Sequence, residues 1–139
     1  MPIGSRFQYK TPEEIEIIRK NCLLVSATLA EVASHIKPGI TGLRLDEIAE
    51  AFIRDHGAEP AFKGYPGSLS DFPASLCISF NEVIVHGIPD KTEVKEGDVV
   101  SVDCGVKMNG YFGDAAFTFA VGQISPEVLD LLVTTRECL

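Results

Sequence analysis

The sequence predicts an α+β fold in which two long helices pack on one face of an antiparallel sheet. Three observations carry that expectation. Apolar residues recur at alternating three- and four-residue steps early in the chain, the spacing of a helical stripe. Short runs rich in β-branched and aromatic residues, bounded by Gly, Pro and Asn, fill the later part. Between the last two runs stands Asn109-Gly110, a pair that tolerates positive φ and so marks a tight hairpin.

Residues 1–10 read as an N-terminal arm. Thr11-Pro12-Glu13-Glu14 is then a helix start, with Thr11 as N-cap, Pro12 at the first helical position and Glu14 closing a capping box. The stripe that follows is Ile15, Ile18, Cys22, Val25, Leu29, Val32 and Ile36, and Lys37-Pro38-Gly39 ends the helix. A second helix carries Leu45, Ile48, Ala49, Phe52 and Ile53 and stops at His56-Gly57. His35 and His56 fall in the last turns of their helices, where the dipole favours them, so both read as structural. Residues 59–75 form a Gly-, Pro- and Ser-rich loop with aromatic side chains to shelter, Phe62, Tyr65 and Phe72. Strands are expected at Leu76–Phe80, Val83–His86, Asp98–Val106 and Tyr111–Val121. Ser125 and Pro126 open a third helix with Val128, Leu131 and Leu132 on its apolar side, and the chain stops without a terminal cap.

With 139 residues the chain is long enough for one domain with a real core. A formal net charge of −8 argues against general affinity for nucleic acid or anionic membrane. The opening MPIGSRFQYK lacks the apolar region of a secretory signal, and no run approaches a membrane span. Cys22, Cys77, Cys104 and Cys138 are widely spaced, so four free thiols in a cytoplasmic protein are expected rather than a zinc cluster or redox pair.

Val100–Phe117 is almost wholly apolar or small, yet holds Asp103 and Asp114. A two-residue turn sets Met108 opposite Tyr111, so Asp103 faces Ala116 and Asp114 faces Gly105. Residues two apart share a face. Both carboxylates therefore point the same way as diagonal neighbours, roughly 7–8 Å apart at their α-carbons. Two carboxylates that close repel each other and lose hydration. A shared proton, an arginine or a divalent cation would compensate, and neither strand offers an arginine. The alternative is two aspartates on a solvated face. Gly105, Gly113, Ala115 and Ala116 are small enough to leave room for a metal and a substrate.

Cys77–Asp90 (CISFNEVIVHGIPD), Val100–Val106 (VSVDCGV) and Gly110–Gly122 (GYFGDAAFTFAVG) together resemble type I methionine aminopeptidases, as do the TPEEIEIIRK opening and KPGITGLRLDEIAEAFI. The resemblance runs from about Phe7 to the end. It implies a "pita-bread" fold of two pseudo-symmetric α+β halves, with residues 11–139 forming the N-terminal half of the catalytic domain. It further implies two divalent metal ions (Co, Mn, Fe or Zn) held by two Asp, one His and two Glu. Asp103 and Asp114 match the two aspartates. His86 matches a histidine that contacts substrate without ligating metal, although a histidine before glycine would otherwise read as structural. Phe62, Tyr65, Phe72 and Cys77 match a methionine pocket, with Phe72 following a short GSLSD insertion. The implied activity is removal of initiator methionine from nascent polypeptides, with the ribosome as a further implied partner. The remaining His and two Glu would lie beyond Leu139, so this chain alone is expected to be inactive, whether as a truncated piece, an incomplete record or half of a split enzyme. An X-Pro aminopeptidase or prolidase-like enzyme, and a non-catalytic pita-bread binding protein, are the alternatives.

Overall fold

A computed structural model describes residues 9–67 and 70–139. In chain order the elements are α1 (Pro12–His35), α2 (Gly42–Asp55), β1 (Glu59–Pro60), β2 (Leu76–Phe80), β3 (Val99–Met108), β4 (Tyr111–Ala120) and α3 (Pro126–Glu137). Most of the arm expected over residues 1–10, and part of the GSLSD segment, lie outside the described residues.

Each helix starts where its capping chemistry places it. The Thr11 side chain accepts from the Glu14 N–H at 3.2 Å, and Glu14 Oε2 accepts from the Thr11 N–H at 2.8 Å, completing the box. The hydroxyls of Thr41 and Ser125 cap α2 and α3 by accepting from the N–H groups of Arg44 and Val128. Helix α2 ends at His56, with Gly57 at φ +73°.

The sheet is organised around β3. Strand β4 pairs along one edge, from Val99↔Ala120 to Met108↔Tyr111. A strand has only two edges, so β2 and β1 share the other. β2 pairs with Val100–Cys104 and β1 with Val106–Lys107, all antiparallel. Asn109 and Gly110 form the β3–β4 turn at φ +54° and +79°, so the sequence-derived register holds residue for residue.

One sheet face carries Leu76, Ile78, Val100, Val102, Cys104 and Val106. It meets Val25, Leu29 and Val32 of α1, Leu45, Ala49 and Ile53 of α2, and Val94 from the loop before β3, in a single core. Burying each of these Leu, Ile and Val side chains contributes about 1.5–3 kcal/mol. Helix α1 lies close on β4 because Gly113 has no side chain there. A Cβ at that position would stand 2.7 Å from the backbone carbon of Asn21. Asn21 itself is buried, and its Nδ2 donates to Ile17 O at 3.0 Å and Met108 O at 3.2 Å.

Four sequence expectations need correction. The buried stripe of α1 is Asn21, Leu24, Val25, Thr28, Leu29 and Val32, whereas Ile15 and Cys22 are exposed. Hydropathy chose Cys22 over Asn21 because it could not see the two carbonyls that accept from the buried Nδ2. Thr28 is likewise satisfied, donating to Leu24 O at 2.8 Å. Val83–His86 is not a strand but an exposed loop, since Asn81 (φ +50°) and His86 (φ +58°) break the extended course at both ends. Glu59–Pro60, expected within a loop, pairs with β3. Finally, Gly113 and Ala115 face the helices, so they provide no space on the aspartate side. Helix α3 forms as expected, but none of its residues is buried. All four cysteines are free.

Candidate metal and substrate site

The sheet face opposite the core is built by register alone. Cys77, Asp103 and Ala116 form one row across β2, β3 and β4, and Ser79, Ser101 and Thr118 form the next. On the other side of the aspartate row, Gly105 pairs with Asp114. Both carboxylates therefore project from the same face, Asp103 half-buried and Asp114 exposed. Ser101 Oγ and Thr118 Oγ1 share a hydrogen bond of 2.9 Å, so they make no competing claim on the carboxylates.

Above this face the loop after β1 folds back on itself. Gly64 N–H donates to Phe72 O at 2.8 Å, and Phe72 N–H donates to Tyr65 O at 2.9 Å. That closure brings Tyr65 and Phe72 together. Phe62 reaches down onto β3, where its ring fills the space over Gly105; a Cβ there would lie 2.6 Å from Phe62 Cε1. The room expected beside Gly105 for metal and substrate is thus taken by a wall residue. Ala116 remains open and exposed.

The result is a cavity of about 370 Å³ lined by Phe62, Tyr65, Phe72, Cys77, His86, Asp103 and Asp114. Every site residue singled out from the sequence lines this one space. An apolar wall with a few convergent polar groups is the usual make-up of a small-ligand site.

Electrostatics distinguish the polar groups. Burial, then the neighbouring Asp114 carboxylate, pushes the Asp103 carboxyl above the usual carboxylate range, while His86 and the Cys104 backbone oppose the shift. Asp103 Oδ1 is buried with no hydrogen-bond partner among the described residues. A carboxylate oxygen left in that state is costly unless something binds it. Burial, assisted by the charges of Asp103, Asp114 and Asp46, pushes the Cys77 thiol up to about 11. Cys77 is therefore a neutral, polarizable wall group at neutral pH rather than a thiolate. Cys104, on the core side, is pushed up to about 12.

The donor set fits a divalent cation in kind, with two carboxylates on one face of the sheet. Hard and borderline cations take carboxylate oxygens readily, and Oδ1 of Asp103 is available for one. Among the described residues no group of three or more His, Cys, Asp or Glu side chains converges to hold a metal. His35 and His56 are elsewhere, each with Nδ1 against a carbonyl of its own helix, Glu31 O at 2.9 Å and Phe52 O at 2.8 Å.

Sequence reasoning missed Asp46. Its Oδ1 accepts from the N–H groups of Ser75 (2.9 Å) and Leu76 (2.7 Å), fixing the start of β2 and so the position of Cys77. The signal was present: Asp46 is a charge on the apolar stripe of α2, three residues before Ala49 and seven before Ile53, both of which are buried.

The metallopeptidase family M24 model matches residues 16–139. The chain is 49% identical over 130 residues to methionine aminopeptidase 1 of Bacillus subtilis, a match covering 94% of this chain and 51% of that protein. It is 45% identical over 127 residues to methionine aminopeptidase 1 of Mycobacterium tuberculosis. The crystal structure of methionine aminopeptidase from Thermotoga maritima superposes with a TM-score of 0.87 at 40% identity, over 94% of this chain and 51% of that one. A prolidase from Pyrococcus furiosus aligns at 26% identity with a TM-score of 0.75, over 87% of this chain and 33% of that one. The chain thus has the pita-bread fold of these enzymes over the part it covers, and it spans about half the length of the curated relatives it matches. With a family match running from α1 to the last residue, this chain belongs to metallopeptidase family M24.

Proposed function

We propose that this chain supplies the substrate pocket and two metal-binding carboxylates of a methionyl aminopeptidase, the activity that removes initiator methionine from newly made proteins. One observation carries the reading: Asp103, Asp114, His86 and an aromatic, sulfur-bearing wall share a single cavity. Similarity to the Thermotoga maritima methionine aminopeptidase, 40% identical with a TM-score of 0.87 against 26% and 0.75 for the prolidase, supports methionine removal over X-Pro cleavage.

Asp103 and Asp114 would hold the divalent ions. Bound there, the ions supply Lewis-acid polarisation of the scissile carbonyl and activation of water. The chain's own groups do the rest. Phe62, Tyr65, Phe72 and Cys77 receive the unbranched thioether side chain and exclude water from it. By holding the ions, Asp103 and Asp114 would offer an anchor to the substrate's free, neutral α-amine, which an internal peptide lacks, and this directs the enzyme to chain ends. His86 donates a hydrogen bond to the scissile amide as its carbonyl becomes tetrahedral.

Two ions, drawn from Co, Mn, Fe or Zn, suit the reading, and the remaining ligands, a His and two Glu, would come from outside these 139 residues. Residues 11–139 then act as one structural half of the catalytic domain. The chain alone binds metal weakly and turns nothing over. Among the described residues no helix is long and apolar enough to cross a membrane. The work assigned to the enzyme is on nascent chains in the cytoplasm, at or near the ribosome. Cleavage of a Met-Ala-Ser peptide tests the proposal. Release of methionine is expected only when the complementary ligands are present with metal. Failure of the metal-loaded, complete enzyme to release it would refute the assignment, and turnover by the 139-residue chain alone would refute its incompleteness.

A further inference from the structure

His86 reaches the cavity from an unusual backbone position. It is not a glycine, yet its φ is +58°, a conformation that persists only when the surroundings impose it. The loop that carries it is exposed throughout residues 81–86, with Val83, Ile84 and Val85 at 43%, 87% and 62% relative exposure. What holds the histidine in place must therefore lie at the loop's two stems.

The first stem is fixed by Asn81. Its N–H donates to Val99 O at 2.9 Å, its Oδ1 accepts from Val99 N–H at 3.0 Å, and its Nδ2 donates to Asp98 Oδ1 at 3.0 Å. The second stem, adjacent to His86, is fixed on the outer edge of β2. Ile78 N–H donates to Gly87 O at 2.8 Å, and Gly87 N–H donates to the hydroxyl of Ser79 at 3.1 Å. The approach is so close that a Cβ on Gly87 would lie 2.1 Å from Ile78 O. Ser79 is only 4% exposed, and its side chain stands on the aspartate face, one row from Asp103. A buried hydroxyl one row from the carboxylates thus holds the peptide immediately after His86.

We propose that Ser79 is a positioning residue: its hydroxyl, by accepting the Gly87 N–H, holds His86 in its left-handed conformation with the imidazole in the cavity. The proposal rests on the reading of His86 as the group that contacts the scissile amide. Without the hydroxyl, Gly87 loses the acceptor of its N–H, and the neighbouring residue is free to relax to negative φ, which turns the imidazole away. Ser79 touches neither substrate nor metal in this scheme, so all of its effect passes through His86.

The test has two readouts. In the 139-residue chain without metal, amide exchange at Gly87 should quicken at least tenfold in Ser79→Ala, and the backbone carbon shifts of His86 should leave left-handed values while those of Asp103 stay put. Unchanged Gly87 exchange and His86 shifts would overturn the proposal. In the turnover-competent, metal-loaded enzyme, Ser79→Ala should lower kcat on Met-Ala-Ser about tenfold with KM nearly constant, and His86→Ala about a hundredfold or more. The double variant should be no slower than His86→Ala alone. A double variant a further tenfold slower would mean that Ser79 acts independently of His86. A His86→Ala enzyme with normal kcat would instead overturn the role of the histidine itself, a different failure. If Ser79→Ala does not fold, Ser79→Thr decides: kcat within threefold of wild type supports the proposal, and a loss beyond tenfold overturns it.

Discussion

Gly113→Ala measures how tightly α1 is laid on the hairpin that carries the aspartates. The new Cβ would stand 2.7 Å from Asn21 C, 2.8 Å from Cys22 N and 2.9 Å from Asn21 O, where ordinary contact begins near 3.4 Å, so about 0.7 Å must be made up. All three atoms are helix backbone, and no side-chain rotation relieves the contact. The helix and β4 must separate, stretching the 3.2 Å bond from Asn21 Nδ2 to Met108 O. Overpacking of this kind costs about 1–3 kcal/mol. For a chain of this size each kcal/mol lowers Tm by about 3–4 °C, so a fall of about 3–12 °C is expected. Thermal unfolding by circular dichroism gives the number, and the amide shifts of Asn21 and Asp114 give the location. A Tm within 1 °C of wild type, with both shifts unmoved, would refute the claim that this glycine sets the spacing.

Two further predictions concern titrating groups. Burial raises the Asp46 carboxyl above its ordinary value despite its two backbone donors, so its ionisation opposes folding as pH rises from the unfolded carboxylate range through the folded pKa. Urea unfolding should therefore show Asp46→Asn gaining on wild type as pH rises from about 4, with no further change once Asp46 is ionised in both states. Asp46→Ala, which leaves the Ser75 and Leu76 N–H groups without an acceptor, should lose about 1–3 kcal/mol. Tyr111 donates to Glu14 Oε1 at 2.5 Å and holds that carboxyl below its usual range, so this contribution to stability is lost as pH falls through the depressed value. In Tyr111→Phe the Glu14 titration followed by NMR should move up toward the ordinary glutamate value; an unmoved midpoint would show that Thr11 alone sets it.

The legible part of this molecule was the part that local rules determine. Thr11-Pro12-Glu13-Glu14 announces its cap, and Asn109-Gly110 fixes a turn whose register then carries Asp103 and Asp114 to one face without any long-range knowledge. Resemblance supplied what register could not: that His86 and four wall residues gather over those aspartates. The errors lie where a distant partner decides. Cys22 and Asn21 differ in hydropathy, but Met108 O and Gly113 select Asn21 for the interior. Val83–Val85 looks like a strand, but among the described residues no strand pairs with it, and the left-handed residues at Asn81 and His86 turn it outward. Gly105 looks like empty space until the Phe62 ring, arriving from a loop more than forty positions upstream, occupies it.

Paramagnetic relaxation by substoichiometric Mn²⁺ tests most directly whether the two aspartates form one cation site, because it detects even weak binding. Signals of Asp103, Gly105, Asp114 and Ala116 should broaden first in the wild-type chain, and the effect should vanish in Asp103→Asn and in Asp114→Asn alike. Broadening centred on the acidic first turn of α1, at Glu13, Glu14 and Glu16, or broadening of β3 that survives either substitution, would contradict a shared site.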